Sequence, residues 1–313
     1  MISYILKRIF LMLFIMLLVS IAVFSIMHFI PGDPAEMIAR ELYGAEVSPQ
    51  TIELVRKNLG LDNALHIQYL HWLGQVLRGN LGSSFRTGRA VSTEIMSKLP
   101  ATLQLAVASI LVSLIISIPL GIVSALKKNS IIDHISMFAA LGGVSVPNFW
   151  LGLLLILFFS VNLGFFPVYG YGSLQHLVLP SVTLGTGLAA ITTRMLRSNM
   201  LEELEKDYIR TAQGKGLGTI AIARHASKNA VLPVITIIGL QLGALIEGSV
   251  VVEVVFAWPG IGRLLVDSIF SRDFPVIQGC ILIIAAGYVL INLLVDISYA
   301  YINPSINYGD FHE

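Results

Sequence analysis

Residues 9–30 read IFLMLFIMLLVSIAVFSIMHFI, an apolar run of 22 residues without Asp, Glu, Lys or Arg. About 20 such residues in a helix cross the hydrocarbon core of a bilayer. Lys7 and Arg8 precede the run, as basic residues precede the apolar part of a signal peptide. However, the run is longer than in a usual signal peptide, and no A-x-A-like cleavage site follows it. We therefore expect residues 1–30 to form an uncleaved N-terminal transmembrane helix.

The composition of the whole chain agrees with a membrane protein. Of its 313 residues, 55% are hydrophobic and 12% are charged, and the mean hydropathy is +0.80. Soluble domains carry about 25% charged residues. The net charge of +1 gives no electrostatic reason to expect a nucleic-acid partner. Cys280 is the single cysteine, so an internal disulfide is impossible and a packing role is expected.

Five further apolar runs have the length of a membrane span. They cover residues 101–126, 135–161, 175–197, 231–255 and 276–301. None of them alternates polar and apolar residues as a barrel strand does. The sequence thus predicts an all-α polytopic membrane protein with six transmembrane helices.

The distribution of Lys and Arg predicts the orientation. If the N-terminus is cytoplasmic, eleven of these residues fall on the cytoplasmic side and nine on the other, and seven of those nine lie in the segment 31–100. Long translocated segments escape the positive-inside rule, so the short connections decide. Among these the numbers are eleven and two. We expect both termini to be cytoplasmic.

The connections divide the chain into regions. The segment 31–100 is expected to be a small helical extracytoplasmic region, in which Ser48 and Pro49 suit a helix start and residues 66–77 suit a second amphipathic helix. A core of five helices, 101–301, follows and contains a cytoplasmic loop at 198–230. Residues 302–313 would be a cytoplasmic tail.

The sequence lacks the motifs of a nucleotide-binding site and of a zinc site. Gly214-Lys215-Gly216 lacks the spacing and the hydroxyl of a nucleotide-binding loop. There is no HExxH motif, and His66 and His71 are five residues apart, so they do not share a helix face as two zinc ligands would. We expect no catalytic residue, no metal site and no bound cofactor, so an ATPase that powers transport would be another chain.

Two acids fall in the fifth apolar run. Ionisable groups at membrane depth are generally functional or paired. Glu247 is the better candidate for lining a polar translocation pathway, because it is about two turns from the expected outer end of its helix. Glu253 lies nearer that end, where a solvated interfacial position is equally compatible with the sequence.

The cytoplasmic loop is unusually polar and glycine-rich. Residues 200–209 and 220–229 are expected to form two short helices, and the closely spaced Gly214, Gly216 and Gly218 between them disfavour a continuous helix. Two interpretations remain open on these grounds. The loop is either a solvated hairpin or a helix that docks into the groove of a partner.

A resemblance favours docking. The stretches DYIRTAQGKGL and HASKNAVLPVI resemble the "EAA" coupling loop of ABC importer permeases, in the form found in the dipeptide/oligopeptide/nickel family. Arg210-Thr211-Ala212 fall at the Glu-Ala-Ala positions, Gly216 matches the motif glycine, and Leu232-Pro233 match the closing Leu-Pro. Arg210 replaces the leading glutamate and the gap before Leu-Pro is longer, and both departures are usual in this branch. Further blocks in family order, among them IPGDPAE, SVPNFWLG and FAWPGIGR, extend the resemblance over nearly the whole chain.

The resemblance implies partners and a coupling site. The chain would be the first of two related permease subunits, working in the lipid bilayer of the bacterial inner membrane. Its other partners would be two ATPase subunits, which bind ATP and Mg, and an extracytoplasmic solute-binding protein. The residues implied to contact an ATPase are Asp207, Tyr208, Arg210, Thr211, Ala212, Lys215 and Gly216.

A second region, on the outer side, carries alternative interpretations. Trp258, Pro259 and Gly260 follow the fifth span. The resemblance implies that they frame an outer gate or dock the binding protein, whereas composition alone favours an interfacial tryptophan.

The resemblance also bears on the substrate. It implies import of small peptides, either dipeptides, oligopeptides or glutathione-like molecules, with nickel or a metallophore as the alternative and a secondary transporter as a distant one. His176 invites a metal role, although a single histidine beside a helix start more often caps the helix or lies at the interface.

Overall fold

A computed structural model describes residues 2–29, 33–44 and 46–302 of the chain. The helices of this part are α1 (Ile2–Phe29), α2 (Pro34–Tyr43), α3 (Pro49–Asn58), α4 (Leu65–Leu77), α5 (Val91–Leu126), α6 (Ile131–Ser145), α7 (Asn148–Leu155), α8 (Leu174–Leu204), α9 (Asp207–Gly214), α10 (Thr219–Ala230), α11 (Leu232–Val255), α12 (Ile261–Phe270) and α13 (Phe274–Ile302), with a π-helical segment at Ile156–Asn162. Within these ranges the only β pairing is an isolated bridge between Ser83 and Ala90. The all-α class is confirmed.

The helices supply up to six membrane spans. Four of them, α1, α5, α8 and α13, contain stretches that are long and apolar enough to cross a membrane, and two bent pairs raise the number to six if each pair is one span. The six-span architecture predicted from composition thus agrees with the helices. The predicted tail, 302–313, lies outside the described residues apart from Ile302.

The third predicted span, 135–161, is not a straight helix. The chain bends by 106° between α6 and the segment that starts with α7. Val146 is extended, with φ −85° and ψ 123°, because the ring of the following Pro147 disfavours a helical residue before it. The prediction of one continuous helix here is wrong, and the Val-Pro pair is the cause.

Two other spans are longer than predicted. α5 begins at Val91 and therefore includes the last residues of the expected extracytoplasmic segment. α8 continues to Leu204, seven residues beyond the predicted end of its span. Apolar patterning alone cannot show either extension, because a helix continues past the lipid wherever its backbone hydrogen bonds are maintained.

The chain forms two compact units. Among the described residues, one unit comprises those up to Pro100 together with Gly260–Leu293, and the other comprises Ala101–Pro259 together with residues 294–302. The assignment of separate roles to 31–100 and 101–301 stays a prediction.

In the first unit, caps and a buried carboxylate fix the short segments. Ser48 caps α3 by accepting a hydrogen bond from Thr51 N at 3.3 Å, as the sequence predicts. Asp273 is buried and accepts hydrogen bonds from Ser84 Oγ (2.5 Å) and Phe85 N (3.1 Å), which fastens the loop before α5 to the turn before α13. Cys280 is fully buried in an apolar cluster, so its packing role is confirmed.

In the second unit, small residues bring the spans together. A Cβ atom placed on Gly185 of α8 would lie 2.8 Å from the Ser109 carbonyl oxygen of α5, so only glycine permits this close crossing. Leu105, Leu184, Leu245 and Val252 are buried nearby in one apolar cluster. These contacts hold α8, and therefore the start of the loop that follows it.

Candidate functional site: the loop between α8 and α11

The first short helix of the loop lies later in the chain than predicted. Residues 200–204 are the end of α8, and the next helix, α9, spans Asp207–Gly214. The backbone breaks at Lys206, which is extended at φ −74° and ψ 151°. The prediction of a helix over 200–209 is therefore wrong. The prediction over 220–229 is confirmed within α10.

A buried carboxylate explains the break. Glu203 accepts hydrogen bonds from Lys206 Nζ (2.5 Å), Tyr208 OH (2.7 Å) and Asn229 Nδ2 (3.3 Å). Asn229 Nδ2 also donates to Tyr208 OH at 3.2 Å. One side chain thus ties the end of α8 to both α9 and α10. Sequence reasoning missed Glu203, since nothing local distinguishes it from Glu202 or Glu205.

The same contacts raise the pKa values of two side chains, Tyr208 and Lys206. Burial, and then the hydrogen bond to Glu203, raise the pKa of Tyr208 above its usual value. The hydrogen bond to Glu203 raises the pKa of Lys206. Both groups therefore keep their protons at neutral pH and can donate to Glu203.

An apolar cluster lies beneath the loop. Ile209 of α9 is fully buried against Leu196 and Met200 of α8 and against Ile222 and Ala226 of α10. Burying an aliphatic side chain of this size contributes about 1.5–3 kcal/mol. α9 therefore has a fixed apolar side and a fixed polar network at its start, and it is held as a firm element rather than as a solvated hairpin.

The other side of α9 is open. The side chains of Asp207 and Arg210 are 94% and 72% exposed. Thr211, Lys215 and Gly216 are exposed too, while Ala212 is half-buried. The ion pair between Arg210 Nη1 and Asp207 Oδ1 (3.3 Å) lies at this surface, where such pairs contribute little. The structure therefore brings the seven residues implied by the resemblance together on one short, mostly exposed helix and its following turn.

The turn after α9 depends on one glycine. Gly216 has φ +80°, a left-handed conformation that a side chain disfavours. Gly214 is helical and Gly218 precedes α10 with φ −68°. Of the three glycines, only Gly216 is required by its backbone geometry.

The surface of α10 continues the exposed face. Ile220 is 88% exposed, which is unusual for so large an apolar side chain. It borders an open concavity of about 920 Å³ that Arg224, His225 and Lys228 also line. An exposed isoleucine among basic groups is typical of a surface that contacts another protein.

A buried ion pair holds the base of the loop. Arg197 of α8 donates to Asp133 of α6 through Nε (2.6 Å) and Nη2 (2.7 Å). Ser124 Oγ of α5 (2.5 Å) and Asn129 N (2.9 Å) donate to the same carboxylate. Sequence reasoning missed this site because the predicted third span began at 135, which placed Asp133 in a connection.

The segment after α11 has a buried tryptophan. Trp258 is 1% exposed, its Nε1 donates to the Ala101 carbonyl at 2.8 Å, and its ring meets Tyr171 edge-on. The interpretation as an interfacial anchor is wrong, because protein encloses the indole. Pro259 is half-buried and Gly260 is buried, so in this conformation the Trp258 side chain offers no surface to a docked protein.

Of the two acids in the fifth span, Glu253 differs from expectation. Glu253 is fully buried and accepts hydrogen bonds from Thr102 Oγ1 (2.7 Å) and Ser249 Oγ (3.4 Å), so the solvated interpretation is wrong. The side chain of Glu247 lies outside the described residues. Thr102 lies on another helix, α5, and sequence alone does not reveal such a partner for Glu253.

His176 behaves as a residue at a helix start. Its Nδ1 lies 2.8 Å from Ser173 Oγ, and its ring covers Gly170. Across the described part of the chain, no group of three or more His, Cys, Asp and Glu side chains could hold a metal ion.

Comparisons with known proteins define the class. The family described as "binding-protein-dependent transport system inner membrane component" matches residues 117–308, and its N-terminal counterpart matches residues 1–106. The chain belongs to this family and is a multi-pass permease subunit of an ATP-binding cassette importer. Membership implies ATPase and solute-binding partners.

Individual relatives are similar along the whole chain. The glutathione transport system permease protein GsiC of Salmonella choleraesuis is 45% identical over 309 residues, which is 98% of this chain and 100% of that protein. The proteins of the same name from Salmonella typhi and Escherichia coli (strain K12) have the same identity and coverage.

Proposed function

We propose that this chain pairs with a second, related permease to import small peptides or glutathione-like molecules, and that α9 receives the mechanical input from an ATPase subunit. The observation that carries the coupling role is the two-sided construction of α9. Ile209 and the Glu203 network hold one side, whereas the exposed Asp207, Arg210 and Thr211 are accessible to a partner.

This construction suits a helix that docks into a groove. A short amphipathic element transmits a push only if it does not deform, and α9 has both apolar and polar ties to its neighbours. ATP and Mg would be bound by two partner ATPase subunits, with no cofactor on this chain and no catalytic residue. When those subunits close, α9 would move together with α8 and α10, because Glu203 joins all three.

The base of the loop gives this movement a route into the spans. Arg197 lies seven residues before the end of α8 and is bound to Asp133 of α6. Ser124 brings the end of α5 to the same carboxylate. Displacement of α9 would therefore act on three spans at their cytoplasmic ends.

On the outer side, we place a gate at Trp258, Pro259 and Gly260. The hydrogen bond from the indole to the Ala101 carbonyl holds the segment after α11 against α5. A solute-binding protein would act on this side of the inner membrane, and both termini would be cytoplasmic. Glu247 remains a candidate for lining the translocation pathway. The buried Glu253 is a second candidate for the same role.

The substrate class rests on the relatives. Three permeases of 45% identity over the full length are named for glutathione transport. Nickel or metallophore import is the alternative that the family resemblance leaves.

Reconstituted transport tests the proposal. The chain is co-expressed with a candidate second permease, ATPase subunits and binding protein, and the complex is placed in proteoliposomes with ATP inside or outside. We expect ATP-dependent uptake of labelled glutathione or a dipeptide that a protonophore does not reduce. If nickel is taken up and the peptides are not, the proposed peptide substrate is wrong and nickel takes its place. Uptake driven by a proton gradient without ATP would contradict an ATP-driven importer.

A further inference from the structure

Helix α4 differs from its neighbours in composition. Its 13 residues, LHIQYLHWLGQVL, include no Asp, Glu, Lys or Arg, whereas α2 and α3 each carry several. It is too short to cross a bilayer, because 13 residues make a helix of about 20 Å. It is nevertheless apolar on more than one side, which is unusual for a helix in a connection between spans.

One side of α4 packs on the first span. Phe24 of α1 meets Tyr69 edge-on with ring centroids 5.5 Å apart, and it meets Trp72 at 5.6 Å. Tyr69 OH and Ser20 Oγ are 2.8 Å apart. Ring contacts and a hydrogen bond therefore fix α4 against α1.

The position of Ser20 sets the depth of this contact. The apolar run that forms most of α1 covers residues 9–30, so Ser20 and Phe24 lie ten and six residues before its end. Six residues of helix correspond to about 9 Å. The rings of Tyr69 and Trp72, which contact Phe24, thus lie below the level at which the run ends, and the hydroxyl of Tyr69 lies deeper still. This holds whichever way the chain crosses the membrane.

The opposite side of α4 carries an apolar stripe. Ile67, Leu70, Gly74 and Leu77 follow each other at intervals of three and four residues, which places them on one face. Leu70 is 62% exposed and Leu77 is 79% exposed. The histidines His66 and His71 border this stripe, and both are exposed.

We propose that α4 dips into the membrane beside α1, with the stripe Ile67–Leu70–Gly74–Leu77 inserted among the lipid acyl chains. The occupant of the stripe is lipid because the stripe continues a lipid-facing surface. Leu18 and Ile21 of α1, at the same level of the membrane, are also exposed. Tyr69 and Trp72 at this depth are the residue types that line membrane interfaces.

Spin labels measure the environment of the stripe directly. Leu70→Cys and Leu77→Cys are labelled in the whole transport complex, in nanodiscs of phosphatidylcholine and phosphatidylglycerol. Glu53→Cys on α3, whose side chain is 58% exposed, is the matched control. Cys280 is fully buried, and the unsubstituted chain must take up no label. All three sites are exposed, so equal recovery of the complex is expected.

The outcome is decided by comparing how accessible each label is to oxygen and to a water-soluble nickel chelate. We expect the labels at 70 and 77 to be several-fold more accessible to oxygen than to a water-soluble nickel chelate, and the label at 53 to show the reverse. If the labels at 70 and 77 resemble the control, the stripe faces water and the proposal fails. If they are shielded from both reagents, a protein subunit covers the stripe and the proposal fails as well.

A second measurement on the same variants separates lipid from protein. A fluorophore attached to the Leu70→Cys variant is compared in nanodiscs with ordinary and with brominated acyl chains. Contact with acyl chains predicts at least a twofold loss of fluorescence with the brominated lipid, while the fluorophore on the Glu53→Cys variant keeps its intensity. Equal intensities in both lipids at position 70 would exclude insertion.

Discussion

At the scale of single residues, Gly214 and Gly216 form a natural pair of test positions. Both have free space where a Cβ atom would lie, but Gly216 has φ +80° and Gly214 is helical. Gly216→Ala should lower stability by about 1 kcal/mol, because alanine disfavours the left-handed conformation. Gly214→Ala should raise it by a similar amount, because alanine is the better helix former. Thermal unfolding of the purified permease measures both.

The transport rates of the same two variants test whether a partner subunit approaches α9 closely. Neither added methyl group meets an atom of the part of this chain that the structure describes. A loss of ATP-dependent uptake in Gly214→Ala, together with unchanged or higher stability, would show that a partner approaches α9 closely at this position. If Gly216→Ala is as stable as the unsubstituted chain, the argument from its backbone conformation is incorrect.

Trp258 gives a second prediction at this scale. Trp258→Phe keeps an aromatic ring but removes the hydrogen bond to Ala101, so a loss of about 1 kcal/mol is expected. Trp258→Ala also leaves a cavity and should cost about 3–5 kcal/mol. The two variants are compared by the thermal unfolding of the complex in detergent. Equal losses would contradict the specific contribution of the indole hydrogen bond.

At the scale of helices, the sequence predicts where a helix starts and which stretches are apolar better than it predicts where a helix breaks. Ser48 and Pro49 mark the start of α3 because caps act through neighbouring residues. The break at Lys206 depends on Glu203 and on Asn229, which lies 26 residues after Glu203. Such a contact leaves no local pattern. The bend at Val146 does have a local signal, the Val-Pro pair, which apolarity outweighed in the prediction.

The ion pair at the base of the loop belongs to this scale. Asp133→Asn leaves Arg197 without its carboxylate, and breaking a buried pair costs about 3 kcal/mol or more. Since Asp133 also joins α5 and α6 to α8, we expect ATP hydrolysis to continue while substrate transported per ATP falls several-fold. Arg197→Lys keeps the charge but not the two parallel hydrogen bonds, and it should be intermediate. ATPase and uptake rates measured on the same proteoliposomes give this ratio. A parallel fall of both rates would mean a structural role only.

At the scale of the whole molecule, the sequence predicts the six-span class because apolar length is a property of composition. It does not predict the partners of buried acids. Glu253 was treated as equally compatible with a solvated position because its hydrogen bond to Thr102 joins residues 151 positions apart. The resemblance predicts the coupling residues, and the structure shows that Asp207, Arg210 and Thr211 among them are exposed on α9.

Membrane orientation gives a further prediction for the intact molecule. Lys215→Cys, on the exposed turn after α9, should react with a membrane-impermeant maleimide only in inverted vesicles. Glu53→Cys on α3 should react only in right-side-out vesicles. The buried Cys280 is the unreactive background. The reverse pattern would place the loop outside and exclude its contact with a cytoplasmic ATPase.

The most direct measurement for the central claim is a photo-crosslink from α9. A photoreactive benzoylphenylalanine replaces Thr211, which is exposed and is not part of the Glu203 network. The control carries the same group in place of Lys57 on α3, which is exposed and lies in the predicted extracytoplasmic region. We predict that irradiation of the intact complex joins position 211 to an ATPase subunit, with a yield that changes when ATP is added, and that position 57 gives no such product. Uptake with full ATP dependence but without any ATPase crosslink from position 211 would contradict the account.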